Sequence, residues 1–171
     1  MRKLSLEQFN ELMESSSLRP RIRREVRFQT STQDMDDEAW ARSELLAVSD
    51  RSGNKGVLVL TVGEDELRAF AYELSRGMTS STGRAQPVIC DFCRTWQTGS
   101  RAGSITLSRP ARDAGSVTFL CCADLACSRH VRSLTAASRT SRAQLREDMD
   151  TEQRVARLRE RILTVINLVE K

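Results

Sequence analysis

Cys90-Asp91-Phe92-Cys93 sets two cysteines three positions apart on a short segment, and Cys122-Ala123-Asp124-Leu125-Ala126-Cys127 supplies a second pair with 28 residues between. Zinc takes four soft ligands in a tetrahedron. A Cys-X-X-Cys turn can give two of them, and the other two must arrive from elsewhere in the chain. A lone Cys-X-X-Cys is also a thioredoxin-type redox motif, and the thiols could simply be buried. The redox reading lacks a preceding βα pattern and leaves the second pair without a role. Cys90, Cys93, Cys122 and Cys127 are therefore expected to hold one structural Zn2+. Four cysteines close the coordination sphere, whereas a catalytic zinc keeps one position open. Such a site contributes on the order of 10 kcal/mol to folding, so its loss is expected to unfold residues 86–140.

Two neighbours compete for these roles. Cys121 adjoins Cys122, and strand alternation sends adjacent side chains to opposite faces. Cys122 lies nearer the following helix, so Cys121 is read as a buried small hydrophobe. His130, the sole histidine, falls one helical turn past Cys127 and is an alternative to it as ligand.

Working outward, Ser104–Ser108 and Ser116–Cys121 read as two strands joined by a turn over Arg109–Gly115. Asp124 suits a helix N-cap, which places Cys127 in the first turn of a helix running from Leu125 toward Ala137 or beyond. There the helix dipole favours a thiolate. A cysteine knuckle, a hairpin and a helix whose start gives the last ligand together describe a treble clef. Asp150 and Gln153 form a capping-box pattern. Val155, Leu158, Ile162, Val165 and Val169 then repeat at helical spacing, so residues 151–170 form an amphipathic helix.

Before the cysteines the pattern changes. Ser5–Glu14 reads as a short helix, with a capping-box pattern at Ser5 and Gln8 and Leu6, Phe9 and Met13 on one face. Leu18–Arg27 carries five arginines, either as a solvated face or as a contact for RNA or an acidic protein. Trp40 reads as a core anchor, and Glu38–Val48 fits a helix or an extended segment equally. Gly56–Val62 is β-branched and apolar and Gly63–Glu66 is a turn; Leu67–Leu74 is either the second strand of a hairpin or a helix with Leu67, Phe70 and Leu74 on one face, and the hairpin is favoured. Gly77–Pro87 has almost nothing to bury and reads as a linker. The expected fold class is α+β. Residues 1–85 make an N-terminal helical and β-hairpin domain, and residues 86–171 make the treble-clef zinc finger with its C-terminal helix.

Charge follows the same division. Residues 1–85 hold 13 Lys/Arg against 14 Asp/Glu, residues 86–147 hold 9 against 4, and residues 148–171 hold 5 of each. Ionising four thiols and adding a dication lowers the finger segment from +5 to +3, and it stays basic. An acidic protein face or RNA phosphate is the expected partner. There is no signal-peptide pattern and no apolar run long enough to span a membrane, so a cytoplasmic location with reduced thiols is expected. No membrane partner and no small-molecule substrate is expected. No P-loop, GxGxxG, Ser/His/Asp or paired-carboxylate arrangement is present, so no enzyme is expected.

The run Val117–Arg132, with Cys-Cys-Ala-Asp-Leu-Ala-Cys at its centre, resembles the signature of the FBP C-terminal treble-clef family. The upstream Cys-Asp-Phe-Cys and the closing Thr151–Arg159 helix are similar to that family too, over about residues 86–170. The family takes in fibronectin- and elongation factor G-binding proteins and the FusB-type fusidic acid resistance proteins. The resemblance implies that this chain binds elongation factor G and alters its interaction with the ribosome, in fusidic acid resistance or factor recycling. With 89 residues before Cys90, the chain looks more like the shorter actinobacterial-type members. Phe92, Arg129, Arg132, Arg139 and Arg142 are the candidate partner contacts, since aromatics and arginine are the residue types of interface hot spots. The alternatives are an RNA- or ribosome-binding (rRNA-binding) zinc protein and a thiol redox sensor.

Overall fold

The computed structural model describes residues 1–16, 18–63, 66–79, 82–110 and 115–171. Glu64 and Asp65 of the expected hairpin turn, residues 111–114 of the finger turn, Ser17, Ser80 and Ser81 lie outside the described residues.

Four short helices come first: α1 (Leu6–Ser15), α2 (Pro20–Glu25), α3 (Phe28–Thr32) and α4 (Asp37–Ala41). Strands β1 (Leu45–Ser49), β2 (Lys55–Val62) and β3 (Glu66–Arg76) follow, then a small ladder of β4 (Val88–Ile89) with β5 (Trp96–Gln97). Next are β6 (Ala102–Ser108), β7 (Ser116–Cys122), α5 (Cys127–Val131), α6 (Ala136–Leu145) and α7 (Thr151–Glu170). The fold class is α+β as expected. The main sheet is antiparallel in the order β1-β2-β3-β6-β7.

The unbroken apolar run of β2 explains the layering. Val57, Leu58, Val59 and Leu60 are all buried, which requires cover on both faces of the sheet. Val57 and Val59 join Phe9, Met13, Phe28 and Trp40 beneath α1–α4. Leu58 and Leu60 join Phe70, Ile105, Leu107 and the α7 stripe Leu158, Ile162, Val165 and Val169. Ser5 and Gln8 make the expected capping box at α1, and Phe9 stacks on Phe28 with ring centroids 4.6 Å apart. The undecided stretch 38–48 is both things in turn. Asp36 caps α4, and the chain is extended from Leu45.

The sheet crosses the boundary expected after residue 85. Tyr72–Arg76 of β3 pairs with Gly103–Leu107 of β6, so the hairpin region and the finger share one sheet. In the linker-like stretch Gln86 N–H donates to Met78 O at 2.8 Å and Gly77 N–H to Ala102 O at 2.9 Å. Its lack of apolar residues reads as a boundary, but the strands it connects are brought together by pairing far apart in sequence.

The helix expected from Leu125 to Ala137 is two helices. Leu125 takes φ +51 and Ser133 φ +58, left-handed values that break a helical run. Asp124 is therefore not the cap. Ala126 is the N-cap of α5, and the Asp124 carboxylate accepts its N–H at 3.1 Å. Cys127 still opens the first turn. Asp150 and Gln153 make the expected capping box on α7. Among the described residues, no helix is long and apolar enough to cross a membrane.

Candidate metal centre

The β4–β5 ladder makes a tight turn that presents the first cysteine pair. Cys90 N–H donates to Thr95 O at 3.0 Å and Arg94 N–H to Cys90 O at 2.9 Å, with Arg94 at φ +60. Cys122 ends β7 and Cys127 begins α5. Leu125 N–H closes the loop between them onto Cys122 O at 3.0 Å. A knuckle, a hairpin strand and a helix start thus meet at one point.

All four Sγ atoms lie within 4.8 Å of one another, and all four residues are buried. Cys90 and Cys127 are 3.7 Å apart and Cys93 and Cys122 3.5 Å apart. A tetrahedron with Zn–S of about 2.3 Å puts its sulfurs ~3.8 Å apart, so the cluster fits one zinc ion. The four thiols also act strongly on one another. Burial opposes ionisation of Cys93, yet hydrogen bonds from Cys122, Cys127 and Cys90 hold its thiol well below the ordinary range. The hydrogen bonds from Cys122 and Cys90 push Cys127 well above it. Four thiolates cannot share this space unless a dication offsets their mutual repulsion.

Cys121 takes the expected role. It is fully buried on the opposite side of the strand from Cys122, and burial pushes its thiol up. His130 adjoins the four-cysteine set. Its Nδ1 lies 3.2 Å from Cys122 Sγ and its Nε2 3.3 Å from Asp124 Oδ2. Burial works against charge on its ring, but Asp124 and Cys93 outweigh this and raise it to about 9. Gln97 Nε2 also donates to Cys122 Sγ, at 3.3 Å. Cys122 thus receives the Gln97 N–H and lies against His130 Nδ1, two contacts that orient the sulfur. Gln97 was not singled out from sequence, because a buried glutamine on a two-residue strand carries no spacing signal.

Three further contacts fix the finger in place. The Asp91 carboxylate accepts Leu120 N–H at 2.8 Å, and Arg161 of α7 donates to Asp91 O at 2.9 Å. Arg154, 4% exposed, donates to Val131 O at 2.8 Å at the end of α5.

The five candidate partner contacts separate into two groups. Phe92 is 1% exposed and packs edge-on against Phe119, centroids 6.0 Å apart; it is core. Arg132 forms a fork with Glu44, at 2.8 Å and 2.7 Å, and also reaches Ser128 O; its guanidinium is committed internally. Arg129, Arg139 and Arg142 are exposed.

The profile of the FBP C-terminal treble-clef zinc-finger family matches residues 16–169, which takes in the whole sheet and all four cysteines. No curated protein and no solved structure matches the chain. The match covers most of the sequence, and the cysteine cluster has the geometry that its description calls for: this chain belongs to the FBP C-terminal treble-clef zinc-finger family.

Proposed function

We propose that this protein is a non-enzymatic zinc protein that binds elongation factor G and modulates its interaction with the ribosome. The supporting observation is the outer surface of the finger. Arg129, Arg139 and Arg142 are exposed, and among the described residues none has a carboxylate within ion-pair distance. Leu134 and Leu145, 49% and 38% exposed, lie on the same α5–α6 segment. Arginine beside exposed leucine on a metal-held scaffold is a surface built to dock on a protein carrying both acidic and apolar groups.

The test is binding of nuclease-treated elongation factor G by calorimetry, with the zinc-loaded wild type and the Arg129→Glu/Arg139→Glu/Arg142→Glu variant. The wild type forms a complex; the variant keeps its zinc and its melting temperature and binds roughly tenfold or more weakly. No complex with the pure factor, or an equal affinity for the variant, refutes the proposal. Binding only in the presence of RNA, falling steeply with salt, replaces it with the RNA reading. Growth with and without fusidic acid then separates drug protection from recycling.

A further inference from the structure

β3 is paired on both sides along only part of its length. β2 runs beside it from Glu66 to Glu73, but the β6 ladder begins at Tyr72↔Leu107. Among the described residues, Glu66–Ala71 therefore has a strand on one side alone. These residues make no other backbone hydrogen bond among the described residues. The cause is local. β6 ends at Ser108, and Pro110, which has no N–H to offer a ladder, follows two residues on. The chain turns away toward β7, with Arg109 N–H donating to Gly115 O at 3.1 Å.

Ala69–Ala71 of this half-edge line a cleft of about 1250 Å³. α2 stands on one side and the corner between β6 and β7 on the other. Arg19, Arg21 and Arg109 line it, and among the described residues no acidic residue does. Arg21 is paired with Glu25 at 2.7 Å; Arg19 and Arg109 have no carboxylate partner among the described residues.

We propose that this cleft takes an extended acidic peptide from a partner protein, added as a strand beside Glu66–Ala71 in the place that β6 vacates. Main-chain hydrogen bonds to the open edge supply the affinity, and alternate side chains of the guest enter the cleft. Asp or Glu at those positions meets the arginines. A nucleic-acid strand would satisfy the arginines but has no alternating N–H and C=O groups to pair with β3. Phe70, the one aromatic residue of the lining, turns its ring into the core on the other face of the sheet, so no ring is offered for base stacking. This site is separate from the α5–α6 surface and does not depend on the identity of the factor proposed above.

The probe is a fluorescein-labelled decapeptide of alternating Glu and Thr, titrated into the zinc-loaded full chain and followed by anisotropy and amide exchange. A Lys-Thr decapeptide and a uridine decamer are the comparisons. The Glu-Thr peptide binds, the Lys-Thr peptide does not, and alternate amides of Glu66–Ala71 become protected. The Arg19→Glu/Arg109→Glu variant weakens the Glu-Thr peptide roughly tenfold and gains binding of the Lys-Thr peptide, an exchange that a misfolded variant would not show. Equal binding of both peptides, binding without protection of those amides, or binding of uridine alone overturns the proposal. So does protection of the same amides by self-association without peptide.

Discussion

The ion pair of Arg132 and Glu44 joins the end of α5 to the chain just before β1, across 88 residues of sequence. The Glu44 side chain is 4% exposed and that of Arg132 15%, and Glu44 N–H also donates to Ser128 Oγ at 2.9 Å. Replacing Arg132 with Ala leaves a buried carboxylate without its fork. Breaking a buried pair from one side costs about 3–5 kcal/mol. Arg159 remains 3.7 Å from Glu44, but its side chain is 65% exposed and its charge is screened, so it recovers only part. An expected loss of about 3 kcal/mol follows, or roughly 6–12 °C in Tm for a chain of this length. Urea unfolding of the zinc-loaded protein measures it. Glu44→Leu with Arg132→Met should regain most of the loss, because two apolar side chains leave no charge uncompensated. If Arg132→Ala unfolds within about 0.5 kcal/mol of wild type, or the double variant is no better than the sum of the singles, the pair is not the staple described. A variant that loses partner binding at full stability would return Arg132 to the surface role expected from sequence.

Three other perturbations follow from the same structure. A Cβ at Gly56 would stand 2.1 Å from the backbone oxygen of Val48; Gly56→Ala should cost at least about 2 kcal/mol in urea unfolding, and an unchanged midpoint would contradict the β1–β2 register. Cys121→Ala should keep one equivalent of zinc by metal analysis and Cys122→Ala should keep none; the opposite pattern would exchange their roles. Stripping zinc with a strong chelator should lower amide protection in β3 and β6 together, beyond the finger itself, since Tyr72–Arg76 pairs with Gly103–Leu107. Full protection of that ladder in the stripped protein would show that the metal's effect is confined to the knuckle.

The parts of this fold set by local chemistry were legible in the sequence. Cysteine spacing named the metal cluster, the two capping boxes placed α1 and α7, and the apolar run Gly56–Val62 placed a central strand. The losses came where distant residues decide. Arg132 and Phe92 have the composition of contact residues, and only the fold shows one clamped by Glu44 and the other behind Phe119. Asp124 has the right residue type for an N-cap, but the left-handed turn at Leu125 moves the cap to Ala126. The linker 77–87 gave no hint that the strands before and after it pair. Pairing across a long excursion leaves no mark in any short window of sequence.

α7 lies after every other element of the core in chain order, yet its apolar stripe packs against one face of the sheet. During synthesis the hairpin β2–β3 can close early, because its loop is short. Leu58, Leu60, Ile105 and Leu107 must then wait uncovered until Leu158–Val169 has emerged. A message truncated ahead of residue 151 would yield a chain with every zinc ligand present and a sheet that stays adhesive on one side. Such a product is a substrate for chaperones and proteases.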